Sequence, residues 1–410
     1  MKKTVLKNAV LIDGEHNNPI EDALVVLENK TVTYAGKRTD DILEKHQQHA
    51  AIYDLNGKTI MPGLIDVHVH LSYNGDPDMI YSIIMEDAQM TLIKAISRAK
   101  KALEAGYTTL RTMGEKAHVD ITIKKAIEQN EIAGPRIIAS GNALSITGGH
   151  GDKIPSGIKA QGIAKIVDGE DQVRKGAREQ LKLGADNIKL MATGGGSSIG
   201  PATALEFTLD EMLGAVEAAE EFGKTTGAHA IGARGIIMAL KAGVRTIEHG
   251  TFLDEEGIEL LLEKEAYLVP TLSAFKTLTY GREGGVPDHH LKKVEYYSEK
   301  HYENLKKALK AGVTVVTGTD AGTPFNYHGD NAYELSCLLD CGMDPMDAIK
   351  SSTKYAAEAL RLDNLGTIQE GNIADIIVVD GNPLKDLNVL QTNENIKMVI
   401  KEGELVIERE

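Results

Sequence analysis

Two histidines two residues apart close an apolar run, PGLIDVHVH, over Pro62 to His70. Side chains of an extended strand alternate between its faces, so His68 and His70 share one face. Two imidazoles so placed can hold one metal ion. Further along, four more residues with ligand or charge-handling side chains end short apolar runs of their own: Lys189 in DNIKLMATGGG, His229 in TTGAHA, His249 in TIEHG and Asp320 in VTGTDAG. The amine among them fits a metal site only if it loses its proton. A neutral lysine adds CO2 to give a carbamate, an anion whose two oxygens can bridge two ions, and burial lowers a lysine pKa in the required direction. The plainer alternative for Lys189 is an ion pair with a neighbouring acid such as Asp186.

Elements must bring these residues to one place. Apolar runs at 60–67, 108–112, 136–141, 186–191, 225–229, 245–249, 266–271 and 313–319 read as strands. Between them lie amphipathic stretches such as MEDAQMTLIKAISRAKKALEAG and DGEDQVRKGAREQLKLG, most of which end in glycine, a helix-stop signal. Eight alternations predict an α/β fold, a (β/α)8 TIM barrel over residues 59–362, with its site at the carboxyl ends of the strands. Residues 1–58 read as short strands and glycine turns, and residues 363–410 return to that pattern. The two ends are expected to form one small discontinuous β-sandwich domain.

Composition narrows the function classes. The chain has 410 residues, 45 basic and 60 acidic, for a net charge of −15. That balance argues against nucleic-acid or anionic-membrane partners and for a small-molecule substrate. Lys7, Asn8 and Asp13 interrupt any signal-peptide core, and no run reaches the roughly 18 apolar residues of a membrane helix, so a cytoplasmic location is expected. Cys337 and Cys341, the two cysteines, are spaced i, i+4 in a helical stretch and read as buried packing groups.

In this order along the whole chain, PGLIDVHVH, Lys189, His229, His249, Asp320 and the closing GTIQEGNIADIIVVDGNP resemble the amidohydrolase superfamily of metal-dependent hydrolases. The resemblance implies two divalent ions, zinc by preference. His68, His70 and Asp320 would hold the more buried ion, His229 and His249 the second, and N6-carboxylated Lys189 would bridge both. It also implies attack by a metal-bridging hydroxide, with Asp320 moving the proton to the leaving nitrogen. SGNALSITGGHGD, IKLMATGGG and AGVRTIEHGT resemble the Xaa-Pro dipeptidase-like or prolidase-like branch, related to imidazolonepropionase. That branch implies cleavage of an amide in a dipeptide or N-acyl amino acid, with His150 of TGGHGD contacting the substrate carbonyl. The branch often has a tyrosine shortly after the fifth-strand histidine, where this chain has Ile231. A homo-oligomer is compatible with the branch's habit of assembling.

Other functions fit less well. Deaminases of the superfamily place a glutamate just after the fifth-strand histidine, whereas Ala230, Ile231 and Gly232 follow His229 here. Hydrolysis of a cyclic amide, lactone or urea stays open as an alternative. A non-catalytic scaffold would have no need to keep all six ligands. Gly194 to Gly196 lack the GK[ST] ending of a phosphate loop, and Ser197 and Ser198 read as loop residues shaping a pocket. Arg111 is expected to pair inside the barrel mouth in preference to holding a substrate carboxylate, His328 and Asp330 to lie in a solvated loop or touch substrate, and His118, His289, His290 and His301 to lie on helix surfaces.

Overall fold

The computed structural model describes residues 2–196, 198, 200–282 and 288–410; Ser197 lies outside them. Among the described residues the strands form three sheets. Leu64–Val69, Tyr107–Thr112 and Arg136–Ile138 pair in parallel. Asn187–Met191, Thr225–Ala230, Thr246–His249 and Tyr267–Val269 run parallel in chain order in a second sheet, which Ala143–Ser145 and Ala164–Ile166 extend. Helices connect them, among them Ala88–Glu104, Val119–Glu128, Glu170–Leu183, Leu209–Glu220, Ala233–Lys241 and Glu255–Glu263. Local chemistry sets their starts: Asp87 and Asp254 cap the first free amides, and Thr208 with Glu211 forms a reciprocal capping box.

Backbone hydrogen bonds link the two parallel sheets. Asp186 N and Asn187 N donate to Ala139 O at 2.7 and 3.2 Å. On the other side, Leu268 N reaches Thr314 O at 3.1 Å, Val67 N reaches Thr317 O at 2.9 Å, and Asp320 N reaches His68 O at 2.7 Å. The run 313–319 is therefore not a regular strand. It contributes isolated bridges, Leu268 with Val315 and, just beyond, Val69 with Ala321, and the backbone turns left-handed at Asp320 (φ 59°). The run 136–141 also stops early, at Ile138, and Gly141 (φ 65°) turns the chain.

The expected strand 60–67 splits at Gly63, where a Cβ would lie 2.3 Å from Thr108 Oγ1. Thr59–Pro62 pairs with Ile376–Val379 and Lys3–Leu11, so the terminal sheet extends beyond residues 1–58. Strands from both chain ends form this single eight-stranded sheet. One of its faces is packed by Leu6, Leu11, Val25, Leu27, Ile376 and Val378. No helix among the described residues is long and apolar enough to cross a membrane.

Candidate active site

Strand ends bring the sequence-selected residues to one cavity of about 480 Å³, lined by His68, His70, His150, Lys189, His229, His249 and Asp320. Ligand atoms of His68, His70 and Asp320 lie within 4.8 Å of one another. The imidazoles form a continuous series. Ring centroids are 5.3 Å apart for His68 and His249, 4.5 Å for His249 and His229, and 4.2 Å for His229 and His150.

Hydrogen bonds fix which nitrogen of each ring carries the proton. His68 Nδ1 meets the Glu248 carboxylate at 2.7 Å and His70 Nδ1 meets the Gly114 carbonyl at 2.9 Å. These partners accept, so both Nδ1 atoms donate; a neutral ring then keeps its lone pair on Nε2, while at His70 burial, which lowers the pKa, is outweighed by Asp320, which raises it and favours a proton there in the absence of a cation. His229 is the reverse: Nε2 donates to the Gly194 carbonyl at 2.8 Å, leaving the lone pair on Nδ1. His249 Nδ1 lies 2.7 Å from Thr271 Oγ1, whose own proton goes to the Pro270 carbonyl at 2.6 Å. Nε2 of His249 therefore carries the lone pair.

These assignments allow a test of fit to a cation. Asp320 Oδ1 stands 3.5 Å from His68 Nε2 and 3.2 Å from His70 Nε2, and no donor satisfies it although it is buried. Two lone pairs facing a carboxylate oxygen repel unless a cation lies among them. The residues present fit a divalent metal. Burial raises the Asp320 pKa, but His68, His70 and Lys189 more than offset it and hold the carboxyl well below its usual range. Burial also keeps His68 and His229 neutral, pushed down to about 4 and about 3.

Lys189 is 1% exposed. Its expected alternative partner, Asp186, instead pairs with Lys124 at 2.6 Å and Lys224 at 3.1 Å. Burial pushes the Lys189 amine down to about 8, against the pull of Glu248 and Asp320. About a tenth of the amine is then in the neutral form that reacts with CO2 at pH 7, far more than for an unshifted lysine.

Several supports were not singled out in the sequence. Glu248 is fully buried between His68 and Arg111, whose guanidinium donates to it at 2.8 Å and to the Val67 carbonyl at 2.5 Å. Arg111 is thus the internal pairing group expected of it. Glu115 accepts from Leu71 N and Ser72 N, fixing the chain just after His70. Glu334 accepts from Leu272 N and Ser273 N, just after Thr271. His249, Thr271 and Asp320 have φ of 70°, 54° and 59°. Left-handed backbone at such residues is costly and collects at functional sites.

His150 is half-buried at the cavity wall, with Nδ1 2.9 Å from Ser198 Oγ and its backbone N–H on Glu206 at 2.6 Å. The glycine run makes room for it: a Cβ at Gly195 would lie 2.2 Å from the His150 ring. His328 is buried, not solvated, with Nε2 on the His70 carbonyl at 3.0 Å, whereas Asp330 is exposed, as expected of a solvated loop residue. His301 is also buried rather than on a surface, edge-on to Phe275 at 4.8 Å, because its helix packs behind the cavity. His118 is half-buried against Gln180. Cys337 and Cys341 are free and buried, as expected.

Residues 59–406 match the model of the amidohydrolase family. Ochratoxinase of Aspergillus niger is 31% identical over 98% of this chain and 86% of its own length. An Xaa-Pro dipeptidase solved with methionine in its active site is 33% identical, with TM-score 0.89 over 99% of this chain and 100% of that one. A prolidase complexed with N-methylphosphonate-L-proline is 32% identical, with TM-score 0.91 over 100% of both chains. The inward lone pairs, the buried unpaired oxygen of Asp320 and this full-length similarity agree: the chain belongs to the amidohydrolase family and is a hydrolase acting on carbon–nitrogen bonds.

Proposed function

We propose that this chain is a binuclear metal-dependent amidohydrolase of the dipeptidase type, cleaving an amide in a dipeptide or N-acyl amino acid. The observation that carries the reading is the set of four tautomer-fixed imidazoles around the unpartnered Asp320 oxygen. In this reading the two parallel sheets and residues 313–321 close an eight-stranded (β/α)8 barrel over residues 59–362, and the terminal sheet is the small β domain. His68, His70 and Asp320 would hold one ion, His229 and His249 a second, and carboxylated Lys189 both. All-nitrogen and oxygen ligands suit Zn2+. Two such ions supply, when bound, Lewis acidity and a water of near-neutral pKa.

The remaining steps belong to the protein. Asp320, anionic and aimed into the cluster, accepts a proton from the nucleophile and passes it to the leaving nitrogen. With Ser198 Oγ accepting from Gly195 N at 2.9 Å and donating to His150 Nδ1, His150 Nε2 carries a proton for the developing oxyanion. Burial and the neighbouring His229 hold His150 neutral, so it positions a dipole there without repelling cations. Methionine, N-methylphosphonate-proline and the names of the relatives point to amino-acid amides as the substrate class. Acidic composition and free buried thiols support a cytoplasmic enzyme.

Metal analysis and a screen of dipeptides and N-acyl amino acids test this reading. Two equivalents of zinc, lost in Lys189→Ala together with turnover, are expected. A Lys189→Ala protein with full activity would refute the binuclear site, and turnover of cyclic amides, lactones or ureas alone would reassign the substrate.

A further inference from the structure

The cavity wall beside Asp320 is built on a strained turn. Asp320, Gly322 and Phe325 have φ of 59°, 104° and 63°. Of the described non-glycine residues with left-handed backbone, Phe325 is the only one with a large apolar side chain. Such a residue adopts that conformation at a cost that glycine or asparagine would largely escape. Backbone bonds enforce it: Phe325 N donates to Gly75 O at 2.7 Å, Gly75 N to Gly322 O at 2.8 Å, Gly322 N to Asn326 O at 2.8 Å and Asn326 N to Thr323 O at 3.0 Å. Asn326 Nδ2 adds a bond to Thr319 O at 2.7 Å. The outcome is a half-buried phenyl ring on the wall of the cavity. Strain of this kind persists where the surrounding structure over-determines it, and it collects at sites that bind or react. His249, Thr271 and Asp320 bear theirs within the ligand cluster, but Phe325 has no ligand atom to offer.

The turn also fixes which side of a substrate the ring meets. Thr323 N and Oγ1 both donate to Asp320 O, at 3.2 and 2.7 Å, and His70 N donates to Ala321 O at 2.9 Å, so Phe325 is tied to the half of the site that holds Asp320 and His70. In the same half Tyr73 lies against the His70 ring, with centroids 4.9 Å apart, and a Cβ at Gly322 would come within 2.8 Å of the Tyr73 Cβ. Both aromatic rings line the cavity. His150 instead stacks on His229, at 4.2 Å. With the carbonyl oxygen at His150 and the proton for the leaving nitrogen coming from Asp320, the group attached to that nitrogen lies toward Tyr73 and Phe325. This assignment of sides rests on the amidohydrolase reading above. Two aromatic rings offer a guest broad apolar contact.

We propose that Phe325, together with Tyr73, forms the subsite for the side chain of the leaving amino acid, and that this subsite selects a bulky apolar side chain, phenylalanine before alanine.

The binding arm needs no turnover. L-phenylalanine and L-alanine, the amines that such substrates would release, are titrated calorimetrically into the metal-loaded wild type, F325N and F325L. The wild type should bind L-phenylalanine at least about 10-fold more tightly than L-alanine, F325N should bring the ratio to within about 3-fold, and F325L should keep part of the preference. Equal affinity of the wild type for the two amino acids, or an unchanged ratio in F325N, overturns the proposal. Asparagine accepts left-handed backbone more readily than phenylalanine, so the thermal midpoint of F325N should stay at or above that of the wild type. A fall of more than about 3 °C would show that the ring serves packing, and would overturn the proposal as well. In the turnover arm, the advantage of N-acetyl-L-phenylalanine over N-acetyl-L-alanine in kcat/KM should shrink by at least about 5-fold in F325N. The ratio of N-benzoyl-L-alanine to N-acetyl-L-alanine, which changes only the acyl side, should hold; the reverse pattern puts the ring on the acyl side and overturns the assignment. If no amide is cleaved while the binding arm behaves as expected, the amidase reading fails and the subsite stands. If the amides are cleaved with unchanged ratios, the subsite fails and the amidase reading stands.

Discussion

Thr271→Val is the sharpest test of how the second half of the cluster is held. Valine keeps the volume and branching of threonine and removes the oxygen that accepts from His249 Nδ1 at 2.7 Å. The site is fully buried, so the ring N–H would lose its partner without water to replace it. An unsatisfied buried donor costs about 1–3 kcal/mol. The ring can avoid part of that cost by moving its proton to Nε2, but it then offers no lone pair to an ion. Either way, affinity at the His229 and His249 side should fall by roughly 10- to 100-fold, the usual effect of losing such a partner. Titrating metal-free protein with cobalt and following the visible absorption should show one equivalent bound as in the wild type and a second bound weakly. Thr271→Ser should recover most of the second phase. Thr271→Gly relieves the left-handed φ of 54° as well. It should therefore be more stable than the valine variant yet equally poor in the second phase, which separates strain from hydrogen bonding. Two equivalents bound to Thr271→Val with unchanged affinity would refute the reasoning.

Other predictions follow from neighbouring groups. Gly195→Ala places a methyl 2.2 Å from the His150 ring; kcat should drop by at least about 10-fold while metal content measured by elemental analysis stays the same, and simultaneous loss of both would count against a separate role for His150. Arg111→Met strands the buried Glu248 charge and should cost about 3–5 kcal/mol in chemical denaturation. Arg111→Met with Glu248→Leu should regain much of that, and a double variant no better than the single would exclude the charge-pair explanation. Glu334 is buried, and burial pushes its pKa from 4.5 up to about 7. The folded state then binds more protons than the unfolded one between those values, so its contribution to stability is full below about 4.5 and is lost as pH rises through 7. Glu334→Gln should flatten the slope of unfolding free energy between pH 5 and 7 by about 3 kcal/mol in total, on top of a pH-independent loss of one backbone acceptor; an unchanged slope would show that Glu334 does not titrate there.

The ligand residues were legible because metal chemistry restricts residue type and strand geometry restricts spacing. His68 and His70 are readable as a same-face pair, and Lys189, His229 and His249 each end an apolar run of strand length. Asp320 was legible as a residue but not its strand, because the segment curls into left-handed backbone and joins by bridges rather than a ladder. Glu248 carries a signal visible only in hindsight: a lone charge inside TIEH, one residue from a ligand, which alternation turns toward the opposite side from His249 and into the interior. Glu115, Glu334 and Thr271 act on backbone or ring atoms far away in sequence, and no local spacing announces them. His301 reads as a surface residue because its helix is polar on most faces; the ring is instead buried, edge-on to Phe275.

The sheet that joins the two chain ends has a kinetic consequence. Thr59 to Pro62 are paired with Val379 through Ile376, and the histidine strand begins two residues after Pro62, beyond Gly63. The support under His68 and His70 is thus completed by residues made more than 300 positions later, as the Thr59 Oγ1 bond to the Gly381 carbonyl illustrates. Contacts of such sequence separation form late, since loop-closure entropy opposes them. A nascent chain that has already released its first histidines from the ribosome should therefore hold them loosely, and tight metal uptake should follow synthesis of the last strands.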